Sequence, residues 1–406
     1  MTRSVLPVEE ILEALDLSRA EPGLGFLEAL FSRFISRVPF ENATKILRHA
    51  AQNEAANKPR RPETFWQEHL ASGAGGTCFA RVAAFGELLA DLGFSVVRAL
   101  GRVGTDDDHA ALFVERDNRL LLCDVGFPLP AVLPAAAGEY PTERGTLTIE
   151  ATQRGLAIDF ADGVAEGPRR IEVFSEAVTD EEFEQRWRAT FRPEAHFLSA
   201  VKLRVERGAR TISFAQGEMR VDDRHSRLTV PLPGPRPRRL AEIFEMDEEL
   251  LAGAFAIVGD PDPPAGAGTL AARLETVASP EAAFSAIASP AGYRELLGGV
   301  AHVTSEEATP EGFRLRLAAP EGAPQEAGLE EDVAVDDAGR RLTVRRRGAS
   351  STFRSCFRVE TSEGRTYLLR EALFDSPRVD LLRNDALRGR LAGSLAVDLL
   401  AWARRI

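Results

Sequence analysis

The sequence predicts an α+β fold in more than one domain, because the hydrophobic periodicity changes along the chain. Three early segments have helical spacing of apolar residues, and three later ones alternate like strands. The predicted helices are 8–17, 24–37 and 79–92, and the first predicted strands are 95–103, 109–115 and 119–125. A segment with three prolines and three glycines, 259–268, can form neither a helix nor a central strand. It marks a linker, 259–269, between domains at 1–258 and 270–406.

Further strands are expected in the first domain after the predicted hairpin. They are 146–151, 156–160, 169–174, 200–205, 211–215 and 227–231. The order of elements is therefore a helical block, a β-rich middle and a mixed end.

Composition excludes several functional classes. The net charge of −12 argues against nucleic acid as the main partner, because phosphate binding needs a basic face. Three scattered cysteines give neither a disulfide framework nor a zinc site, so no metal is expected. The chain begins without an apolar signal segment and has no apolar run long enough for a membrane span. We expect a soluble, reduced, cytoplasmic protein that does not act on membranes.

Cys78 stands where a helix is predicted to begin, directly after Gly75-Gly76-Thr77. A lone cysteine among apolar residues is most often a small core residue. A helix N-terminus, however, presents unpaired N–H groups and positive potential, which stabilise a thiolate. The two glycines permit a tight turn and leave room for a substrate. The position therefore favours Cys78 as a nucleophile.

His109 and Asp124 are predicted to lie on one face of a β-hairpin. With a two-residue turn at 117–118, position 109 pairs with 126 and position 111 with 124. The two side chains are then diagonal neighbours, about 7–8 Å apart at the backbone, which side chains of this length can bridge. Taken singly, each residue is more typical of a hairpin surface or a strand end. Together they supply the base and the orienting carboxylate that a thiolate nucleophile requires.

At this point the chain is identified by resemblance. Five fragments occur in an order and at a spacing that resemble the arylamine N-acetyltransferase family over about residues 5–258. They are Val38-Pro39-Phe40-Glu41-Asn42, Gly75-Gly76-Thr77-Cys78-Phe79, Gly93-Phe94-Ser95-Val96, His109-Ala110-Ala111-Leu112 and Asp124-Val125-Gly126-Phe127. The resemblance implies a helical bundle over 1–92, a β-barrel over 93–175 and an α/β lid over 176–258, around a cysteine-protease-like Cys-His-Asp core.

The resemblance also implies a reaction. A catalytic triad of Cys78, His109 and Asp124 would move an acetyl or other acyl group from coenzyme A to an amine of the arylamine or hydrazine type, in ping-pong order. Acetyl-coenzyme A or another acyl-coenzyme A is then a co-substrate, and no bound cofactor is expected. Residues expected at the coenzyme A site are Gly75, Gly76, Thr77, Gly126 and Phe127, and those expected to contact the substrate are Phe40 and Phe127.

Four positions depart from the family pattern. Ala74 stands where the family usually has Arg, Ala80 where it has Glu, Val82 where it has Asn, and Pro128 where Gly is frequent. The less polar surroundings leave three alternatives open. These are an amide synthase of the wider family that acts on a polyketide-type acyl chain, a cysteine hydrolase, and a non-catalytic ligand-binding protein.

The second domain, 270–406, resembles the START-like helix-grip (SRPBCC-type) superfamily by its pattern. A strand and a short helix that begins near Ser279-Pro280 precede six strands and a long final helix over 377–405. The predicted strands are 273–278, 299–304, 312–318, 329–335, 340–347, 352–360 and 364–373. His302 and Cys356 are interpreted as structural. The resemblance implies an apolar ligand in this domain, with packing or dimerisation as the plainer alternative.

Overall fold

The computed structural model of the protein describes thirteen segments of the chain. They are residues 6–51, 59–104, 106–160, 169–176, 178–222, 226–232, 235–260, 268–276, 279–296, 302–318, 329–347, 353–362 and 365–374. The chain divides into two compact units. The first comprises Met1–Met219 and Pro233–Pro263, and the second comprises Arg220–Leu232 and Pro264–Ile406.

The division falls inside the predicted linker at 263/264 but also assigns 220–232 to the second unit. The sequence-based bounds had placed that segment in the first domain. Its strand pairs with the strand that follows the linker, Ser226 opposite Ala272 and Thr229 opposite Thr269. Because of this backbone pairing, the segment belongs to the second unit.

Eight described helices belong to the first unit. They are α1 (Val8–Ala14), α2 (Leu24–Arg37), α3 (Ala43–Ala51), α4 (Pro62–Ser72), α5 (Cys78–Asp91), α6 (Asp180–Ala189), α7 (Arg236–Phe244) and α8 (Glu248–Val258). The prediction of α2 is confirmed at both ends, and those of α1 and α5 are confirmed with small shifts of their ends. α3 and α4 were not predicted, because both are short and α4 mixes apolar and polar residues without a clear stripe.

The helical core forms where α2, α4 and α5 pack aromatic side chains together. Phe34 of α2 lies between Trp66 of α4 (ring centroids 5.8 Å apart) and Phe85 of α5 (4.7 Å). All three are fully buried. Rings of this size remove much apolar surface from water, which fixes the three helices against one another.

An eight-stranded antiparallel sheet forms a nearly closed barrel after α5. Its strands are β2 (Ser95–Val103), β3 (Asp106–Arg116), β4 (Arg119–Leu122), β5 (Leu133–Pro134), β6 (Gly138–Thr142), β7 (Gly145–Ala151), β8 (Gly155–Phe160) and β9 (Arg169–Phe174). The order across the sheet is β5-β4-β3-β2-β9-β8-β7-β6. The predicted strands in this region are confirmed, whereas the short β5 and β6 were not predicted.

The β3–β4 hairpin has the predicted register. Arg116 pairs with Arg119, across a turn in which Asp117 (φ 49°) and Asn118 (φ 57°) are both left-handed. This is the type I′ turn that Asn and Asp favour in two-residue hairpins. β4 is shorter than predicted and ends at Leu122, although the Cys123 N–H still donates to the Leu112 carbonyl (2.8 Å).

A short strand of the first unit, β1 (Phe40–Glu41), pairs with β10 (Leu203–Arg207). β10 forms a hairpin with β11 (Arg210–Ala215). β12 (Glu218–Asp222) begins at the end of this stretch. α6 is N-terminally capped by Thr179 and Glu182 in a capping box, and α8 packs on α3.

The second unit is an antiparallel sheet with two short helices. Its strands are β13 (Ser226–Pro231), β14 (Gly268–Thr276), β15 (His302–Thr309), β16 (Gly312–Ala318), β17 (Leu329–Asp336), β18 (Arg341–Arg347), β19 (Phe353–Ser362) and β20 (Arg365–Phe374). Their order is β13-β14-β20-β19-β18-β17-β16-β15. The helices α9 (Pro280–Ser285) and α10 (Pro290–Leu296) follow β14. The expected final helix, 377–405, lies outside the described residues.

Candidate active site

Cys78 is the first residue of α5. The helix begins after Thr77, whose extended backbone (φ −80°, ψ 177°) turns the chain, and the Arg81 N–H donates to the Thr77 carbonyl (3.0 Å). The N–H groups of the first helical turn lack intrahelical acceptors, so they create a positive electrostatic potential at the thiol. Cys78 is 8% exposed, and its Sγ lies 3.6 Å from the carbonyl oxygen of Asp108.

The two glycines before Cys78 dock on the strand that contains Phe40. The Gly76 N–H donates to the Pro39 carbonyl (3.3 Å), and the Glu41 N–H donates to the Gly76 carbonyl (3.2 Å). A Cβ on Gly75 would overlap the Pro39 carbonyl oxygen. The close approach of the two backbones therefore requires glycine at position 75.

His109 and Asp124 meet across the end of the hairpin. His109 Nε2 lies 2.7 Å from Asp124 Oδ2, and both residues are buried. The second carboxylate oxygen of Asp124 accepts the Phe127 N–H at 2.8 Å. The carboxylate is thus held at both oxygens, which fixes the direction of the imidazole ring.

Cys78 also acts on the imidazole, because it is one of the groups that raise the pKa of His109. Since Nε2 faces Asp124, Nδ1 is the ring nitrogen left for the sulfur. Burial by itself lowers the pKa of His109, but the charge and hydrogen bond of Asp124, together with Cys78, outweigh it and raise the pKa to about 10. The charged imidazolium is therefore the favoured form of His109 at neutral pH.

Gly126 provides the space in which the three side chains meet. A Cβ at this position would overlap the Ala110 carbonyl oxygen and would lie 3.0 Å from the Cys78 Cβ and 3.1 Å from the His109 Cε1. The loop after β4 can come this close to Cys78 and His109 only because position 126 has no side chain.

A cavity of about 240 Å³ opens at Cys78. It lies between the start of α5, α3, α6 and the segment that follows α6. Its lining residues are Lys45, Thr77, Cys78, Asp108, Arg186, Ala189, Thr190, Arg192, Glu194, Ala195, His196 and Phe197. The volume is enough for a small ligand at the sulfur.

Phe40 and Phe127 each pack against another aromatic ring. The Phe40 ring packs edge-on against Phe197 (5.5 Å), which itself lines the cavity, and the Phe127 ring packs against Phe160 of the barrel (5.3 Å). Of the residues predicted to contact coenzyme A, Thr77 lines the cavity. The binding roles of the glycines and of the two phenylalanines remain predictions.

Asn42 forms hydrogen bonds with the segment that contains His196 and Phe197. Its Nδ2 donates to the carbonyl oxygens of Phe197 (2.9 Å) and Ala200 (2.7 Å), and its Oδ1 accepts the Lys202 N–H (2.7 Å). These three bonds satisfy the amide group and hold one wall of the cavity in place.

Arg60 supplies a guanidinium beside the glycine turn, where the sequence has Ala74 in place of the expected Arg. Arg60 is 2% exposed; it donates to the Gly75 carbonyl and to Glu68 (2.6 Å), and its charge opposes the burial that raises the pKa of Glu41. The sequence contained no signal for this, because position 60 is distant from the Cys78 motif along the chain. In the folded protein Arg60, rather than residue 74, supplies a cation at the turn.

Three negative findings hold for the described residues. No group of three or more His, Cys, Asp or Glu side chains among them is arranged to hold a metal ion. None of the described helices has both the length and the apolar character that a membrane crossing requires. In the second unit, nothing described supports the apolar ligand expected from the sequence.

Comparison with known proteins supports the fold of the first unit. Residues 23–156 match a family described as N-acetyltransferase. The matched range contains Cys78, His109 and Asp124. A search of curated proteins gave no match.

Solved structures of arylamine N-acetyltransferases share the fold of part of this chain. The enzyme from Mycobacterium smegmatis is 20% identical, with a TM-score of 0.54, over 63% of this chain and 100% of its own. The enzyme from Mycobacterium marinum, in complex with CoA, is 18% identical, with a TM-score of 0.53, over 62% of this chain and 99% of its own. The enzyme from Salmonella typhimurium is 18% identical, with a TM-score of 0.53, over 61% of this chain and 97% of its own. The family match and the shared fold together support an N-acetyltransferase enzyme.

Proposed function

We propose that the protein transfers an acetyl or other acyl group from coenzyme A to an amine of the arylamine or hydrazine type, through an acyl-cysteine at Cys78. The observation that carries this proposal is the 2.7 Å contact of Asp124 with His109 beside Cys78, which raises the pKa of the imidazole and lies at the N-terminus of a helix and at the wall of a cavity. The match to an N-acetyltransferase family and a similar fold crystallised with CoA support the donor.

The first half-reaction acylates the cysteine. The Cys78 thiolate, paired with the His109 imidazolium, attacks the thioester carbonyl carbon; a new S–C bond forms, and the bond to the coenzyme A sulfur breaks. The leaving thiolate takes the proton from His109. The Cys78 N–H, free of an intrahelical acceptor by its position, is the proposed donor to the developing oxyanion.

The second half-reaction releases the product. The amine nitrogen attacks the acyl carbon, His109 takes the proton from the nitrogen, and the Cys78 sulfur leaves as thiolate. Exchange of one thioester for another is nearly balanced in energy, whereas amide formation is favourable, so the sequence of steps runs toward the acylated amine.

Intact-mass spectrometry tests the proposal. Incubation with acetyl-coenzyme A should add one acetyl group, lost in Cys78→Ser and retained in the matched control Cys123→Ser. Addition of an arylamine should remove the adduct and give the N-acetylated amine. Absence of an adduct with any short acyl donor would instead favour a ligand-binding protein, and release of free acid without an amine would favour a hydrolase.

A further inference from the structure

The proposed reaction leaves one charged residue of the cavity without a role, Lys45. Its side chain projects from α3 into the cavity that holds Cys78, and the residue is only 6% exposed. The ammonium donates to the Thr190 hydroxyl (2.8 Å) and lies 4.8 Å from the Phe191 ring centroid. Among the described residues, no carboxylate forms an ion pair with it. Buried ammonium groups are normally paired, so this one points to a charged partner that enters the cavity.

Lys45 keeps its charge at neutral pH. Burial lowers its pKa to about 8, while the negative charges of Cys78 and Asp108 act in the opposite direction. A group with this pKa is still about nine-tenths protonated at pH 7. The cavity therefore contains a fixed, partly desolvated cation within electrostatic range of the sulfur.

The other charged residues of the cavity do not neutralise this cation. Arg192 and Glu194 pair with each other at 3.6 Å. The negative charge of Asp108 acts on Lys45, and Arg186 adds a further positive charge to the lining. Burial lowers the pKa of His196, so that side chain adds no charge at neutral pH. Without the thiolate, the lining has one more positive charge than negative.

Acylation of Cys78 removes the negative charge that faces Lys45. In the free enzyme the thiolate is a counter-charge to the ammonium, whereas in the acyl-enzyme the sulfur is neutral. The acceptor enters at that stage of a ping-pong reaction. An anionic group on the acceptor would then restore the lost counter-charge in surroundings where charge-assisted hydrogen bonds are strong.

We propose that Lys45, together with the Thr190 hydroxyl, binds a carboxylate on the acceptor amine, so that the preferred acceptor is an anionic arylamine. This inference rests on the proposed acyl transfer. An arylamine nitrogen is uncharged at neutral pH, so such an acceptor brings no second cation next to Lys45 and the imidazolium. An alkylammonium acceptor would be repelled by both.

A matched pair of acceptors provides the test. 4-Aminobenzoate and 4-aminobenzamide have nearly the same shape and differ in charge. The rate of loss of the acetyl group from acetylated Cys78 is measured with each, by intact-mass spectrometry in single-turnover conditions. The wild type should favour the benzoate, and Lys45→Met should lower the benzoate-to-benzamide ratio by about 10- to 100-fold. Lys45→Arg, which keeps the charge, should retain a ratio above that of Lys45→Met.

Lys202→Met is the matched control, because Lys202 lies nearby but contacts His196 rather than Thr190. Its ratio should equal that of the wild type. An unchanged ratio in Lys45→Met would overturn the inference while the acetyl adduct still upholds the proposed function. If Lys45→Met instead loses acylation by succinyl-coenzyme A relative to acetyl-coenzyme A, with the acceptor ratio unchanged, the carboxylate belongs to the donor and the assignment to the acceptor is wrong. Failure of the wild type to form any acyl-Cys78 overturns both proposals.

Discussion

His109 Nε2 and Asp124 Oδ2 lie 2.7 Å apart although the two residues belong to different arms of a hairpin. The contact depends on the register set at the tip of that hairpin, where Arg116 pairs with Arg119. A shift by one residue would turn one of the two side chains to the other face of the sheet. The type I′ turn at 117–118 thus positions a buried ion pair at the far end of the strands.

Cys78 should be the reactive cysteine of the described chain. At neutral pH, iodoacetamide should modify Cys78 at least about tenfold faster than Cys123, because a thiolate beside an imidazolium is the nucleophilic form. Cys123 is fully buried, and burial together with the Asp124 charge raises the pKa of its thiol. Peptide mass spectrometry over a time course measures both rates. Equal labelling of the two residues would contradict the proposed charge state.

Asp124→Asn should abolish most of the acyl transfer while the protein remains folded. An amide can still accept the Phe127 N–H, but it cannot stabilise the imidazolium, so kcat should fall by about 10³- to 10⁴-fold. Steady-state kinetics with acetyl-coenzyme A and an arylamine give the value. Circular dichroism provides the control for folding. Activity within tenfold of the wild type would remove Asp124 from the proposed mechanism.

The stabilising effect of the His109–Asp124 pair should decrease at alkaline pH. Burial opposes the charged ring, but Asp124 and Cys78 raise the pKa of His109 from 6.5 to about 10 in the folded protein. A raised pKa contributes stability that is complete below pH 6.5 and is lost as the pH rises through about 10. The difference in free energy of unfolding between the wild type and Asp124→Asn should therefore shrink from pH 7 to pH 10. Urea denaturation at a series of pH values measures it, and a difference that grows with pH would contradict the assignment.

Gly126→Ala should impair acylation of Cys78 more than any loss of fold explains. The added Cβ meets the Ala110 carbonyl oxygen and the Cys78 Cβ, so the loop must move away from the sulfur and the ring. We expect at least about a 100-fold slower acylation, since small displacements of reacting groups have effects of this size. Gly25→Ala is the matched control, because a Cβ there meets nothing within 4 Å. Equal acylation rates in the two variants would argue against the close packing at Gly126.

Arg60→Met should destabilise the first unit. The substitution leaves the Gly75 carbonyl without its donor and removes the charge that offsets burial of Glu41. Loss of one partner of a buried charge costs on the order of 3 kcal/mol in the free energy of unfolding. Arg48→Met, which removes a more exposed partner of Glu68, should cost about 1 kcal/mol or less. Denaturation followed by tryptophan fluorescence compares the two variants, and a smaller loss for Arg60→Met would show that the turn does not need the guanidinium.

The local elements of the candidate site could be predicted from the sequence. Glycines before a cysteine, an amphipathic helix after it, and a hairpin with Asp117-Asn118 at its tip depend on short-range stereochemistry, which neighbouring residues specify. The register of the hairpin followed from the turn alone, and the structure confirms it.

The sequence by itself determined the elements that carry Cys78, His109 and Asp124, because periodicity and turn chemistry are local properties. Only the tertiary structure decided what surrounds them. Lys45 comes from α3 and lines the same cavity as Cys78, and Arg60 reaches the Gly75 carbonyl from a loop before α4. Neither position is near Cys78 along the chain. Their positions depend on how the helices pack, and on the need of a buried charge for a polar partner. Both the packing and the burial exist only in the folded unit.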